Sequence, residues 1–200
     1  MSFASAPQGF GAASSGHPQT TAAALEILRA GGNAVDAAVA AALAATVCEP
    51  LLTGLGGGGL MTIRSGSTGL VQALTFFSVF PGRDHGLLPR DFQALRVDYG
   101  PTHQTFHAGR GSVAVPGVAP GLDTAWRTWG SLPREVLAQP GVRLARDGWT
   151  ATRSSQIVTT MLSAITAIGP RSNALFNPGG RPVHEGDLVQ SDAQARALED

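Results

Sequence analysis

The sequence predicts a soluble α/β domain, and three observations lead to that prediction. Its 200 residues are 43% apolar and 14% charged, which is the composition of a globular chain and not of a disordered one. Two segments near the N-terminus carry helical periodicity or a long run of helix-forming residues. Two β-rich segments follow them after a glycine-rich loop. A chain of this length is expected to form one domain with a sizeable core.

The first two helices have clear boundaries in the sequence. The first is predicted to begin at Pro18, and one of its faces recurs at helical spacing: Thr21, Ala24, Leu25 and Leu28. The pair Gly31-Gly32 is expected to end it. Asn33 is a good N-cap for a second, alanine-rich helix, in which Asp36 would face the positive end of the dipole. That helix is predicted to lie in the core and to end before Glu49-Pro50.

The middle of the chain predicts a hairpin and then a long irregular segment. LMTIRSG (Leu60–Gly66) and GLVQALTFFSVF (Gly69–Phe80) predict a hairpin of central strands. From Pro81 to Gly111 the composition shifts to Gly, Pro, His and charged residues with little periodicity. We expect an irregular segment there, and loops of that length are often functional.

The C-terminal half predicts a short strand, a Pro-Gly turn and several helices. One helix ends at Gly130 and carries an apolar face of Leu122, Ala125, Trp126 and Trp129. A shorter helix is expected from about Pro140 to Arg146, and a longer one from about Ser154 to Ile168, ended by Gly169-Pro170. The apolar stripe of the longer helix would consist of Ile157, Met161, Ile165 and Ile168.

The last predicted helix begins at a capping box formed by Ser191 and Gln194. The sequence reaches Asp200 without a stop signal, and a helix this short is marginal alone. The pattern therefore predicts the front part of a longer polypeptide, or a piece whose partner completes the sheet.

The segment GLGGGG, Gly54–Gly59, has the residue pattern G-x-G-x-x-G of dinucleotide-binding loops. That fingerprint requires a strand before the glycines, a helix after them and an acidic residue about 20 positions later. Here a predicted helix comes first, a β-rich run follows, and no acidic residue occurs between Gly59 and Asp84. The loop is therefore predicted to use glycine for close backbone approach and not to hold a phosphate.

Other candidate sites are weaker. His103 and His107 have the spacing of two metal ligands on a helix, but their Pro- and Gly-rich surroundings show no helical period, so surface or loop-anchoring histidines are favoured over a metal site. The single cysteine, Cys48, excludes an internal disulfide and is predicted to be a small buried residue. No G-x-S-x-G nucleophile elbow is present.

Charge and hydropathy exclude several classes of protein. The formal net charge is zero and all 14 cationic residues are arginine, so we expect neither nucleic-acid binding nor lysine chemistry. The longest apolar run, Ala37–Val47, is shorter than the ~20 residues of a membrane span. The N-terminal residues lack the charged and apolar regions of a signal peptide, which favours a cytoplasmic location and leaves a periplasmic or secreted one open.

Several collinear motifs carry a family resemblance. His17–Ile63 contains GGNAVDAAVA, a proline loop and GLGGGG; Gly111–Pro133 contains SVAVPG and a later GL; Pro140–Trp149 reads PGVRLARDGW; Leu188–Glu199 reads LVQSDAQARALE. This order resembles the N-terminal part of the large subunit of the γ-glutamyltransferase (γ-glutamyltranspeptidase) family. Because the motifs run from His17 to Glu199, the resemblance is far more specific than the glycine match alone.

The resemblance implies an N-terminal-nucleophile hydrolase fold, an αββα sandwich of two mixed sheets between helix layers, completed by a small subunit or a missing C-terminal part. Residues 1–200 would be a single incomplete domain. The family's precursor cleaves itself, and the new N-terminal threonine of the small subunit attacks a γ-glutamyl amide to form an acyl-enzyme. The resemblance thus implies a small catalytic subunit and a small-molecule amide as partners, no cofactor or metal, and no catalytic residue in this chain.

The resemblance also points to one substrate-binding position. The family's large subunit supplies an arginine, in an F-R-E-x-A-P segment, that binds the glutamyl α-carboxylate. The matching segment here is ALTFFSVFPGRD, in which Phe77 occupies the arginine position and Ser78 the glutamate position. A phenyl ring cannot replace a bidentate guanidinium–carboxylate pair, whose hydrogen bonds contribute ~1.5–3 kcal/mol each. Either Arg83 reaches the site, or the acyl group lacks that carboxylate.

The resemblance therefore implies the large-subunit portion of a γ-glutamyltransferase-like amidohydrolase or acyltransferase, with Phe77 and Arg83 as candidate substrate-binding residues. If the carboxylate is absent, the substrate would be another amide, such as a glutaryl-type amide or a small amidated acid. Phe77 would then either line a remodelled acyl pocket or fill core. A non-catalytic relative or binding scaffold is the alternative, which the loss of the arginine suggests.

Overall fold

The computed structural model describes residues 11–81 and 91–200. They form a mixed fold of α-helices and two-stranded antiparallel sheets. The helices are α1 (Pro18–Arg29), α2 (Ala34–Cys48), α3 (Val118–Trp129), α4 (Arg134–Asp147), α5 (Arg153–Met161), α6 (Ser163–Thr166), α7 (Pro170–Phe176) and α8 (Asp192–Glu199). The strands are β1 (Gly59–Arg64), β2 (Val71–Phe76), β3 (Gln93–Asp98), β4 (His103–Ala108), β5 (Trp149–Thr150) and β6 (Leu188–Val189).

Helices α1 and α2 begin at side-chain caps, and both predicted helices are confirmed. His17 caps α1, since its Nδ1 accepts the Gln19 N–H at 3.2 Å. Asn33 caps α2 through Oδ1, which accepts the N–H groups of Val35 and Asp36 at 2.8 and 3.0 Å. Asp36 completes a capping box by accepting the Asn33 N–H at 2.9 Å. Most of α2 is buried, as predicted for a core helix.

Two hydrophobic clusters form the core. The first lies between α1, α2, α3 and α4, and its buried members are Ala24, Ile27, Val35, Ala37, Val39, Ala40, Val118, Leu122, Ala125 and Leu137. The second lies around the end of α2, and its buried members are Val47, Cys48, Val142, Ala145, Trp149, Ala151, Val183, Val189, Ala195 and Leu198. Leu43 and Leu55 contact both clusters, so α2 and the loop after it join the two.

Strands β1 and β2 form the predicted hairpin. Its inner side chains, including Met61 and Leu74, are partly buried against the first cluster, whereas its other face, with Leu60, is exposed. Across the described residues β1 and β2 pair only with each other, so the predicted central position of these strands is not found.

The prediction of an irregular segment from Pro81 to Gly111 is wrong for residues 93–108, which form the β3–β4 hairpin. Residues 82–90 of that segment lie outside the described residues. The turn uses Gly100 at φ 85°, and Asp98 Oδ1 accepts its N–H at 2.8 Å. Leu95 and Val97 alternate with exposed polar residues and face inward. This short period-2 signal was hidden by the surrounding Gly, Pro and His.

Two of the later helices differ from their predicted bounds. Helix α4 begins at Arg134 and not near Pro140. Leu137 is fully buried in the first cluster, and its burial keeps the turn before Pro140 helical, so that the proline lies inside the helix. The predicted helix from Ser154 to Ile168 is broken at Leu162 into α5 and α6.

The inward face of α5 is hydroxylic, and of the predicted apolar stripe only Met161 and Ile165 are partly buried. Thr159 is buried, with Oγ1 at 2.8 Å from Ser155 O and 3.1 Å from Val183 O, while Ile157 and Ile168 are exposed. Hydrogen bonds from hydroxyls to backbone carbonyls therefore fix the orientation of this helix.

The capping box of α8 is half confirmed. Ser191 Oγ accepts the Gln194 N–H at 3.3 Å, but the Gln194 side chain donates instead to Thr46 O at 2.6 Å. That bond ties α8 to the end of α2. Within the part of the chain that the structure describes, none of the helices combines the length and apolar character of a bilayer-spanning helix.

Candidate functional site

Phe77 follows β2 directly, where the chain runs beside the segment that leads into α3. Val79 and Val115 form an antiparallel bridge, in which the Val79 N–H donates to Val115 O at 3.3 Å and the Val115 N–H donates to Val79 O at 2.9 Å. This register places Phe77 opposite Gly117. The short strand predicted from SVAVPG is therefore a single bridge.

Two glycines enclose the backbone at Phe77. A Cβ on Gly58 would lie 2.7 Å from Phe77 Cα and 2.8 Å from Phe77 C. A Cβ on Gly117 would lie 2.8 Å from Phe76 C and 3.2 Å from Phe77 O. Only glycine fits at both positions without moving backbone, so the Phe77 backbone is held between two neighbouring segments.

The glycine loop also holds the start of α3. Gly57 O accepts the Gly117 N–H at 2.8 Å and the Val118 N–H at 3.1 Å. Amide groups at a helix N-terminus have no partner within the helix, and this carbonyl supplies one. We call these three packed segments, Gly57–Gly58, Phe76–Val79 and Val113–Val118, the Phe77 junction.

The Phe77 junction confirms the predicted role of the GLGGGG loop in close backbone approach. Helix α2 precedes the loop and β1 follows it, which is the reverse of the strand–loop–helix order of a dinucleotide site. The sequence did not show which of the glycines makes the contact, nor that Gly117 completes it from the other side.

Four side chains of the Phe77 junction are apolar and exposed. The exposed fractions are 67% for Phe77, 59% for Val79, 59% for Val113 and 45% for Val115. Phe77 therefore does not fill the core of the described chain. Arg83, the other candidate substrate-binding residue, lies outside the described residues. Sequence reasoning missed the three valines, although the apolar alternation in FFSVF and SVAVPG is a signal for paired extended segments.

The two histidines with metal-like spacing lie on β4 and not on a loop. They are exposed on one face of the hairpin, where His103 pairs with Asp98 and His107 with Ala94. The His107 ring stacks on Phe92, with centroids 4.4 Å apart and planes 14° apart. Among the described residues, no group of three or more His, Cys, Asp or Glu side chains is arranged to hold a metal ion.

Cys48 belongs to a polar cluster between the start of α1 and the end of α2. Cys48 is fully buried, as predicted, with Sγ 3.3 Å from Thr20 Oγ1. Thr20 donates to Glu49 Oε1 at 2.6 Å. Burial raises the pKa of the Cys48 thiol and lowers that of His17. The thiol is therefore held protonated and is a poor nucleophile at neutral pH.

Comparison with known proteins identifies the family. The profile described as Gamma-glutamyltranspeptidase matches residues 20–200. The chain is 36% identical over 184 residues to an Acylase ACY 1 proenzyme of Pseudomonas sp. (strain V22), covering 90% of this chain and 32% of that protein. It is 31% identical over 185 residues to a Glutathione hydrolase proenzyme of Bacillus subtilis (strain 168), covering 91% of this chain and 30% of that protein.

The fold comparison agrees with the sequence comparison. The solved γ-glutamyltranspeptidase of Helicobacter pylori superposes with a TM-score of 0.76 at 25% identity, covering 94% of this chain and 52% of that chain. The predicted N-terminal-nucleophile hydrolase fold class is thereby confirmed. The chain spans about a third of the length of these curated relatives, which are named as enzymes. The chain belongs to the gamma-glutamyltranspeptidase family.

Proposed function

We propose that this chain is the N-terminal portion of the large subunit of a γ-glutamyltranspeptidase-like amidohydrolase or acyltransferase. The family match over residues 20–200 is the observation that carries the proposal. The chain is then a single incomplete domain, which fits its coverage of 32% and 30% of two relatives that are both named proenzymes. The partner would be the small catalytic subunit of the same precursor.

In this proposal the nucleophile is a threonine outside this chain. Its hydroxyl oxygen attacks the amide carbonyl carbon, and the threonine's own amine accepts the hydroxyl proton. The C–N bond breaks as that proton passes to the leaving amine, which leaves an ester on the threonine. Water or an acceptor amine then attacks the ester, which releases the acid or a new amide and restores the hydroxyl. The described residues contribute to binding and to the shape of the site.

Phe77 is the residue of this chain that we place against the acyl group. Its exposed ring and enclosed backbone support that role, because the ring is available to a ligand and its position is fixed. Arg83 is the second candidate, for a substrate that carries a carboxylate. With phenylalanine at the position of the family's arginine, we propose an amide other than glutathione as the substrate.

The similarity to an acylase proenzyme supports an acylase-type reaction. A non-catalytic relative or binding scaffold remains the second candidate, which the replacement of the arginine favours. The two differ in whether the mature protein forms an acyl-enzyme.

The test is capture of the acyl-enzyme. The gene that encodes this chain, with the sequence that follows it, would be expressed, and the purified protein would be incubated with a panel of amides and quenched in acid. We expect two fragments, and an added acyl mass on the N-terminal threonine of the smaller one. An unprocessed protein, or acyl mass on neither fragment, would support the scaffold. Amidase activity of residues 1–200 alone, as a compact monomer, would contradict the proposal.

A further inference from the structure

We infer that the Phe77 junction binds the acyl part of the substrate and selects uncharged aliphatic or aromatic acyl groups. In this inference Val79, Val113 and Val115 determine specificity together with Phe77. It rests on the proposed function and names the substrate class of that same site.

The bridge register brings these side chains to one side. In an extended chain, side chains two residues apart point the same way, so Phe77 and Val79 share a side, and so do Val113 and Val115. Val79 and Val115 lie directly opposite each other, and directly opposite residues in an antiparallel pair point to the same side. Gly117 lies opposite Phe77 and has no side chain, which leaves one side of the phenyl ring open.

The surface cannot collapse into the core. Gly58 and Gly117 contact the Phe77 backbone from both sides, and Gly57 O holds the start of α3. The backbone that carries the four side chains is thus fixed, and within the described residues their exposed fractions are 45% to 67%. Such preorganisation reduces the entropy lost when a ligand binds.

The chemistry of the surface favours an uncharged acyl chain. All four side chains are hydrocarbon, so each methylene group placed against them leaves water favourably. The α-ammonium and α-carboxylate of a γ-glutamyl group would lose hydration against these side chains without gaining a hydrogen bond from them.

The position of Phe77 favours a ligand as the occupant of this surface, because the resemblance places Phe77 where the family's arginine binds the glutamyl α-carboxylate. Phe80, which is 78% exposed, lies next to these side chains in the sequence. Packing against another part of the polypeptide is therefore the competing outcome of the test.

The test is a chain-length series on the processed enzyme. The values of kcat/KM would be measured for acetyl, butyryl, hexanoyl, phenylacetyl and γ-glutamyl p-nitroanilides. We expect kcat/KM to rise about three- to fourfold per added methylene from acetyl to hexanoyl. Val79→Ser and Val115→Ser should flatten this slope. Val71→Ser is the matched control, because Val71 has the same 59% exposure as Val79 but lies at the far end of β2.

The slope is a ratio within one preparation, so loss of folded enzyme does not change it. A flat series in the wild type, or γ-glutamyl as the best substrate, would overturn the inference and leave the proposed function standing. Unchanged slopes in Val79→Ser and Val115→Ser, with less assembled enzyme, would overturn it in favour of protein packing. No turnover of any amide would overturn the proposed function and this inference together.

Discussion

The glycines of the GLGGGG loop have different physical roles. Gly58 faces the backbone of Phe77, since a Cβ on Gly58 would lie 2.7 Å from Phe77 Cα. A Cβ on Gly56 would have no other atom within 4 Å. Backbone cannot rotate away as a flexible side chain can. Gly58 is therefore the glycine of this pair that sets the position of Phe77.

We expect Gly58→Ala to lower the free energy of unfolding by about 1–3 kcal/mol, because the new methyl group overpacks a backbone contact. It should also lower kcat/KM by moving Phe77. Gly56→Ala is the matched control and should change stability by less than about 0.5 kcal/mol. Urea unfolding and steady-state kinetics measure both effects. Equal behaviour of the two variants would show that the contact at Gly58 does not hold the junction.

One surface carboxylate gives a pH dependence. Arg181 donates to Asp187 at 2.7 and 3.1 Å, and the His184 N–H donates to the same carboxylate at 2.8 Å. The Arg181 hydrogen bond, followed by that of His184, lowers the pKa of Asp187 from 3.8 to about 2. A lowered carboxyl pKa stabilises the fold above the unfolded-state value and ceases to do so as the pH falls through the folded-state value.

We therefore expect the wild type to be more stable than Asp187→Asn above about pH 4, with the difference vanishing between pH 3.8 and about 2. Urea midpoints of both proteins across that range measure the difference. Glu185→Gln, at an exposed carboxylate in the same turn, is the control and should run parallel to the wild type. A difference as large at pH 2 as at about pH 5 would contradict the ion-pair explanation.

At the level of elements, the start of α2 also fastens the end of α3. Asn33 Nδ2 donates to Trp129 O at 2.7 Å. The carboxylate of Asp36 is fully buried and accepts the N–H of Ser131 at 2.9 Å as well as its hydroxyl. The GGNAVDAAVA motif thus joins two helices that lie far apart in sequence. Sequence reasoning identified the cap but not this second set of bonds, because nothing local to the motif identifies Ser131 as its partner.

We expect Asp36→Asn to lower the free energy of unfolding by about 2–4 kcal/mol, because an amide NH₂ would face N–H donors in a buried site. Asp98→Asn, at an exposed carboxylate that accepts one turn N–H, should cost less than about 1 kcal/mol. Chemical denaturation of the two variants provides the comparison. Similar small losses for both would show that the buried clamp contributes little.

Elements with caps and strong periodicity could be predicted, and elements fixed by tertiary contacts could not. Helices α1 and α2 follow from Pro18, Gly31 and Asn33, whose effects are local. The start of α4 depends on burial of Leu137, and the orientation of α5 depends on the Thr159 hydroxyl near Val183 O. Both depend on partners distant in sequence, which a single sequence does not reveal.

For the whole molecule, the collinear motifs identified the family and the fold class, and the match of ALTFFSVFPGRD to the family's arginine segment singled out Phe77. The geometry around Phe77 could not be predicted, because it depends on backbone contacts among three segments that are distant in sequence. Those contacts link the glycine loop to Phe77, which the resemblance places at the position of the family's arginine. The central claim, which belongs to the proposed function, is that phenylalanine at this position changes the acyl group that the enzyme accepts.

The most direct test is the ratio of kcat/KM for γ-glutamyl and butyryl p-nitroanilides in the wild type and in Phe77→Arg. We expect the wild type to prefer butyryl, and Phe77→Arg to raise the γ-glutamyl to butyryl ratio at least about tenfold, since a charge-assisted hydrogen bond contributes ~1.5–3 kcal/mol. Phe80→Arg, at a neighbouring phenylalanine that is 78% exposed, is the matched control and should leave the ratio unchanged. A ratio that Phe77→Arg does not change, or a wild type that already prefers the γ-glutamyl amide, would contradict the claim.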